Sequence, residues 1–128
     1  MSPSETGSAR ETFDALLSAT NTHDFDNVTD LLHEGVSYFF NDATLTGHKL
    51  VRRYFEDTWE AIQDEEYWAE EPQWLVENTN TAVVVYRYRW KGIIDGKPSQ
   101  GSGRATNVFV RNEDGKWQMA HEHLSGEP

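Results

Sequence analysis

The sequence predicts an α+β protein, and three observations lead there. Helical hydrophobic spacing is confined to the first half of the chain, ending near residue 62. Alternating, β-rich runs fill the second half, and two Asp-Gly pairs, Asp95-Gly96 and Asp114-Gly115, stand where hairpins between those runs need them. Helical segments followed by an antiparallel meander pack as helices on one face of a sheet.

Residues 8–22 read as a helix. Ser8 and Glu11 have capping-box spacing, and Phe13, Leu16 and Leu17 share one face. A second short helix is expected after Asp24, with Phe25, Val28, Leu31 and Leu32 buried and Gly35 marking its exit. Val36 to Phe40 reads as a strand, Asn41-Asp42 as a turn, and Ala43–Thr46 as a brief extended segment. From Gly47, Leu50, Val51, Tyr54, Phe55, Thr58, Trp59 and Ile62 make the clearest helical stripe in the chain, expected to back the core. Tyr67 to Glu77 is a strand interrupted by Pro72, which predicts an edge or a bulge. Thr81–Ile94, Gly103–Arg111 and Lys116–Ser125 complete the meander, and Gly101-Ser102-Gly103 reads as a flexible strand entry or bulge.

The chain has 128 residues and reads as one domain over 9–128, preceded by a flexible N-terminus, residues 1–8. Leu, Ile, Val and Phe make up only about a fifth of it, so five Trp, five Tyr and six Phe must supply much of the core. The absence of cysteine excludes disulfides and thiolate chemistry. No apolar run approaches a membrane span or a secretion signal, and a cytoplasmic protein is expected. A net charge of −11 argues against nucleic acid and anionic membranes as partners. Twenty-two acids against eleven bases, of which only Lys49, Lys91, Lys97 and Lys116 are lysines, resembles proteins of salt-loving organisms. Ordinary solubility through net charge explains the same composition.

Two long motifs carry a family resemblance. Gly47-x-x-x-x-Arg52-x-Tyr54-Phe55-Glu56-x-x-Trp59 follows Phe25-x-x-x-Thr29 and Gly35, and Asp114-Gly115-Lys116-Trp117-Gln118-x-x-His121-x-His123-x-Ser125-Gly126 closes the chain. Together they resemble the association domain of calcium/calmodulin-dependent protein kinase type II. They resemble more loosely the SnoaL-like and ketosteroid-isomerase-like members of the nuclear transport factor 2-like superfamily. The resemblance implies a cone-shaped fold, with three N-terminal helices packed on a curved, mostly antiparallel sheet around a cavity. It also implies homodimers paired through the outer face of the sheet, and in association domains rings of such dimers. Some relatives are isomerases, dehydratases or cyclases, and others carry no chemistry.

Strict alternation puts Trp117, Met119, His121 and His123 on one face of the last strand and Gln118, Ala120, Glu122 and Leu124 on the other. The resemblance points Leu124 and Glu122 inward and both His outward. Hub cavities hold arginines at positions that match Leu124, Tyr88 and Asn107, so a cationic lining is missing here and a mostly apolar ligand is implied. Glu122 beside Tyr88, Trp90 and Asn107 is the first candidate general base, with its pKa raised by desolvation. The plain alternative is a carboxylate bonded to Asn or Tyr, or paired with Arg104. Asp42 is the second candidate, because ketosteroid-isomerase-like enzymes keep a base Asp near the end of the first strand; a turn Asp is the alternative. Tyr38, Tyr54, Trp59 and Trp68 fall on elements that border the cavity in relatives, and like Tyr88 and Trp90 they are equally explained as core. Arg87 and Arg89, on the opposite face from Tyr86, Tyr88 and Trp90, are expected to meet surface or cross-subunit acids. His121-x-His123 presents two imidazoles, but His23, His33 and His48 supply no placed third ligand, so neither metal nor cofactor is expected.

Overall fold

The computed structural model describes residues 7–128, so of the expected flexible N-terminus only Gly7 and Ser8 fall within it. Ser8 caps helix α1, Ala9–Thr20, by accepting a hydrogen bond from Glu11 N at 3.1 Å. Phe13 and Leu16 of α1 are buried, and Phe13 meets Trp74 and Phe109 edge-on. The expected second helix is realised as two 3-10 turns, Phe25–Asn27 and Thr29–Leu31. Asp24 accepts from Asp26 N and closes the first of them, while Phe25 and Val28 bury fully. Gly35 does not end a helix. It lies inside strand β1, Leu32–Phe39, because Leu32 and Val36 are already core residues of the sheet.

Strand β2, Thr44–Thr46, returns along β1, and helix α2, His48–Ala61, follows at once. Its start is tied down by His48, whose Nδ1 meets Thr29 Oγ1 at 2.9 Å and whose Nε2 meets the His33 carbonyl at 3.0 Å. Strands β3, Gln63–Glu77; β4, Thr81–Ile94; β5, Lys97–Arg111; and β6, Trp117–Gly126, form the meander. The six strands lie in the order β2-β1-β6-β5-β4-β3, with β1 and β6 parallel and every other pair antiparallel. Asp95 and Gly96 both take positive φ, 51° and 77°, as a tight hairpin turn demands.

The edge strand β3 is irregular at three places, and at one of them Glu71, next to Pro72, has a φ of 53°. Strand β6 carries one bulge. Phe109 pairs with Met119 and Val108 with His121, which leaves Ala120 as the extra residue. Strict alternation therefore fails: Trp117 and Met119 are buried, and beyond the bulge the buried residue is Glu122 while His123 is exposed. Gly101 and Gly103 belong to an unbroken β4–β5 ladder and form neither a bulge nor a strand entry. Their missing side chains make room for rings across the ladder, since a Cβ on Gly101 would meet the Trp90 indole and one on Gly103 the Tyr88 ring.

Helix α2 was expected to back the core, yet only Val51 is fully buried and Leu50 is half exposed. Tyr54, Phe55 and Trp59 are half-buried because they wall a hollow instead of filling it.

Candidate functional site

The hollow lies between α1, α2 and the inner face of the sheet and has a volume of about 370 Å³. Nine of the residues singled out from the sequence line it: Tyr38, Asp42, Tyr54, Trp59, Tyr88, Trp90, Asn107, Glu122 and Leu124. Trp68 does not. It is opposite Arg89 on the outer face, where its indole Nε1 donates to Glu70 at 3.2 Å, and its neighbour Tyr67, opposite Trp90, turns inward in its place. The period of two decides this, and a strand whose starting residue is unknown can be read in either phase.

Glu122 sits in a cross-sheet row, paired with Tyr38 on β1 and Asn107 on β5. It is 8% exposed, and Asn107 Nδ2 donates to its carboxylate at 2.9 Å. The same Nδ2 lies 2.6 Å from Met119 Sδ, while Asn107 Oδ1 is buried with no hydrogen-bond partner. Burial pushes the Glu122 carboxyl up to about 7, against the opposing pull of Asn107 and Tyr86. Removal from water thus outweighs two stabilising hydrogen bonds. Arg104 plays no part here, because β5 alternates and directs it to the exposed outer face. The nearby phenols respond in kind: burial and the Glu122 charge hold Tyr38 well above its usual range. Tyr67 Oη is buried without a partner of good geometry, although Tyr86 lies beside it.

Asp42 is exposed at the mouth of the hollow and accepts from Tyr54 Oη at 3.1 Å. Burial, then Asp42, raises the Tyr54 phenol to about 12, and Tyr54 stacks flat on Phe40 at 4.4 Å. Sequence reasoning missed one acidic lining residue, Glu65. It follows Asp64, whose φ is 55°, at an irregularity where Asp64 and Glu65 together face Gly92. Burial pushes the Glu65 carboxyl up to about 7 as well. Two more positioning contacts escape the sequence: Asn21 binds both the N–H and the carbonyl of Tyr67 at 2.8 Å, and His23 bonds the Glu65 carbonyl while stacking on Trp59.

Both histidines of the last strand face away from the hollow. His121 Nδ1 meets Ser37 Oγ at 2.8 Å, Phe39 packs edge-on against both rings, and partial burial lowers the His121 pKa. Among the described residues, no group of three or more His, Cys, Asp or Glu side chains is placed to hold a metal. On the same outer face Arg87 pairs with Glu127 and Arg89 with Glu70. No helix among the described residues is long and apolar enough to cross a membrane.

With this geometry in hand, the likenesses are specific. Residues 9–127 match the family described as SnoaL-like domain. A nuclear transport factor 2-like superfamily protein from Salmonella enterica superposes with a TM-score of 0.83 at 17% identity, covering 92% of this chain and 87% of that one. The hub of calcium/calmodulin-dependent protein kinase II from S. rosetta gives 0.77 at 23% identity, covering 91% and 92%. A nuclear transport factor 2-like family protein from Streptomyces avermitilis, with a provisional dehydratase assignment, gives 0.80 at 19% identity and covers 98% of both chains. No curated protein matches the sequence. At these identities the structural likeness establishes the fold, which is the nuclear transport factor 2-like one.

Proposed function

The chain belongs to the SnoaL-like domain family, and from that premise we propose that it is a self-associating cavity domain whose hollow takes a small, mostly apolar ligand. The observation that carries this reading is the lining: about 370 Å³ walled by rings from both helices and three strands, with Asn107 and Glu122 as buried polar groups in the wall. That volume falls within the roughly 300–1,000 Å³ of small-molecule sites, and the mix of apolar wall and few polar anchors is what such sites use. Tryptophan fluorescence tests it. A small aromatic probe such as 2-naphthylmethanol is expected to give saturable quenching through Trp59 and Trp90. Leu124→Trp, which fills the hollow, is expected to abolish that quenching while the far-ultraviolet circular dichroism stays unchanged. Quenching that survives the filled hollow would overturn the reading.

A second reading is supported by Glu122. A carboxyl buried in the wall of an apolar hollow and pushed up to about 7 suits a general base for isomerisation, dehydration or cyclisation, and the exposed Asp42 is the weaker alternative. The provisional dehydratase assignment of the Streptomyces neighbour agrees with it. The hub neighbours support self-association, which we place on the outer sheet face around Arg87, Arg104, Thr106 and His123. That face carries a second concavity, across the sheet from the hollow.

A further inference from the structure

Building on the cavity reading, we infer that the ligand is a cationic amine with an apolar body, its ammonium group held among the carboxyls and rings of the hollow. The argument begins with charge. Among the described residues, those that line the hollow include Glu65, Glu122 and Asp42 and no Lys, Arg or His. His23 stacks on Trp59 outside the lining and spends its Nε2 on the Glu65 carbonyl. A carboxylate or phosphate ligand would find nothing there to neutralise it.

Hydrogen-bonding capacity points the same way. Asn107, 1% exposed, has its amide N–H committed to Glu122 and Met119, which leaves Oδ1 as a buried acceptor without a donor. Tyr67 Oη, beside Tyr86, is also buried without a partner of good geometry, but as a hydroxyl it donates as well as accepts and favours neither class of ligand. Buried acceptors without donors are rare in folded proteins, and each is costly to leave unmet. An ammonium brings up to three N–H donors and accepts none, so it complements this surplus of acceptors where a carbonyl compound would not. The rings supply the rest: Tyr54, Trp59, Tyr88 and Trp90 offer π-faces, which attract cations most strongly when both are shielded from water.

Protons couple to the binding. The groups facing Glu122 are Tyr38, Tyr67, Tyr86, Tyr88 and Asn107, and those near Glu65 are Tyr54 and, through its backbone, His23. None of the phenols charges below pH 9, so the two carboxyls set the pH response. Each is held partly protonated near pH 7 by burial, and an incoming cation favours the ionised form. Affinity for an amine that stays protonated therefore rises from pH 6 to pH 8, with release of protons.

Isothermal titration of the full chain with three probes of one shape decides the matter: 2-naphthylmethylamine, 2-naphthylmethanol and 2-naphthoic acid. The amine is expected to bind roughly tenfold or more tighter than the alcohol at pH 8, with the acid undetectable. The amine's advantage should shrink toward pH 6, and buffers of different ionisation enthalpy should report proton release. Glu122→Gln and Glu65→Gln should each cut amine affinity by a larger factor than alcohol affinity, and the two variants test the two carboxyls independently. Alcohol or acid binding as tightly as the amine would overturn the inference and leave the cavity reading standing. Failure of all three probes to bind would overturn both.

Discussion

Glu122 makes the molecule's pH response calculable in sign. Its folded pKa, about 7, lies above the ordinary carboxylate value, so the native state binds the proton more tightly than the unfolded chain does between about pH 4.5 and 7. Stability contributed by the protonated carboxyl is complete below that window and is lost as pH rises through it. Glu122→Gln should therefore unfold at higher urea than the parent at pH 8, by on the order of 1–3 kcal/mol, and the two should converge near pH 4.5. Asn107→Leu acts in the opposite direction on the carboxyl: loss of its donor should raise the Glu122 pKa further, read by carbon-13 titration of the side chain, and cost about 1–3 kcal/mol at pH 8. Glu122 and Asn107 could be found from the sequence because the family resemblance matches Asn107 and Leu124 to cavity positions, and parity along β6 puts Glu122 on the same face as Leu124. Glu65 could not. It stands in the run Gln63-Asp64-Glu65-Glu66, which reads as solvated, and its inward aim depends on pairing with Gly92, some thirty residues away in the chain.

At the scale of the element, bulges and glycines decide which face a residue shows. Thr81–Ile94 was read with its true bounds because Val, Tyr and Trp alternate cleanly and Asp95-Gly96 ends the strand. Pro72 announced an irregular edge strand, and β3 has one. The bulge at Ala120 left no local trace, since the surrounding pattern is compatible with plain alternation; only the need to bury Trp117, Met119 and Glu122 together requires the extra residue. Gly35 misled for a related reason: a glycine after an apolar run signals a helix exit, whereas here the run is already strand. Gly103→Ala tests the packing that replaced the expected flexible entry. The added methyl would meet Tyr88 and the Ser125 carbonyl, so Tyr88 must shift toward the hollow. A loss of about 1–3 kcal/mol in chemical denaturation is expected, with weaker probe binding. Ser8→Ala, which only removes the cap of α1, should cost about 1 kcal/mol and leave binding untouched.

For the molecule as a whole, charge is the dominant surface property. A net charge of −11 on 128 residues is self-repulsive, and the ion pairs, such as Arg10–Glu77 and Arg52–Asp26, are exposed and individually weak. Screening should relieve the repulsion, so the melting temperature is expected to climb between low and molar KCl; a flat profile would show that the acid excess is spread too thinly to strain the fold. Light scattering at micromolar concentration is expected to give a dimer or larger assembly, reduced to a protomer by Thr106→Glu on the outer face, with probe binding in the hollow kept. The overall architecture was legible because helical spacing ends near residue 62 and alternating, β-rich runs fill the rest of the chain. The hollow itself came from family resemblance, since composition cannot distinguish rings that fill a core from rings that surround a space.

The two rims of the sheet carry one more consequence. At one rim stands β2, only three residues long, and at the other β3, interrupted three times and broken by Pro72. Neither offers the straight row of free amides that a second chain needs to zip alongside. Concentrated solutions should accordingly resist fibril growth, and straightening the rim with Pro72→Thr should be what first brings on thioflavin-positive aggregates.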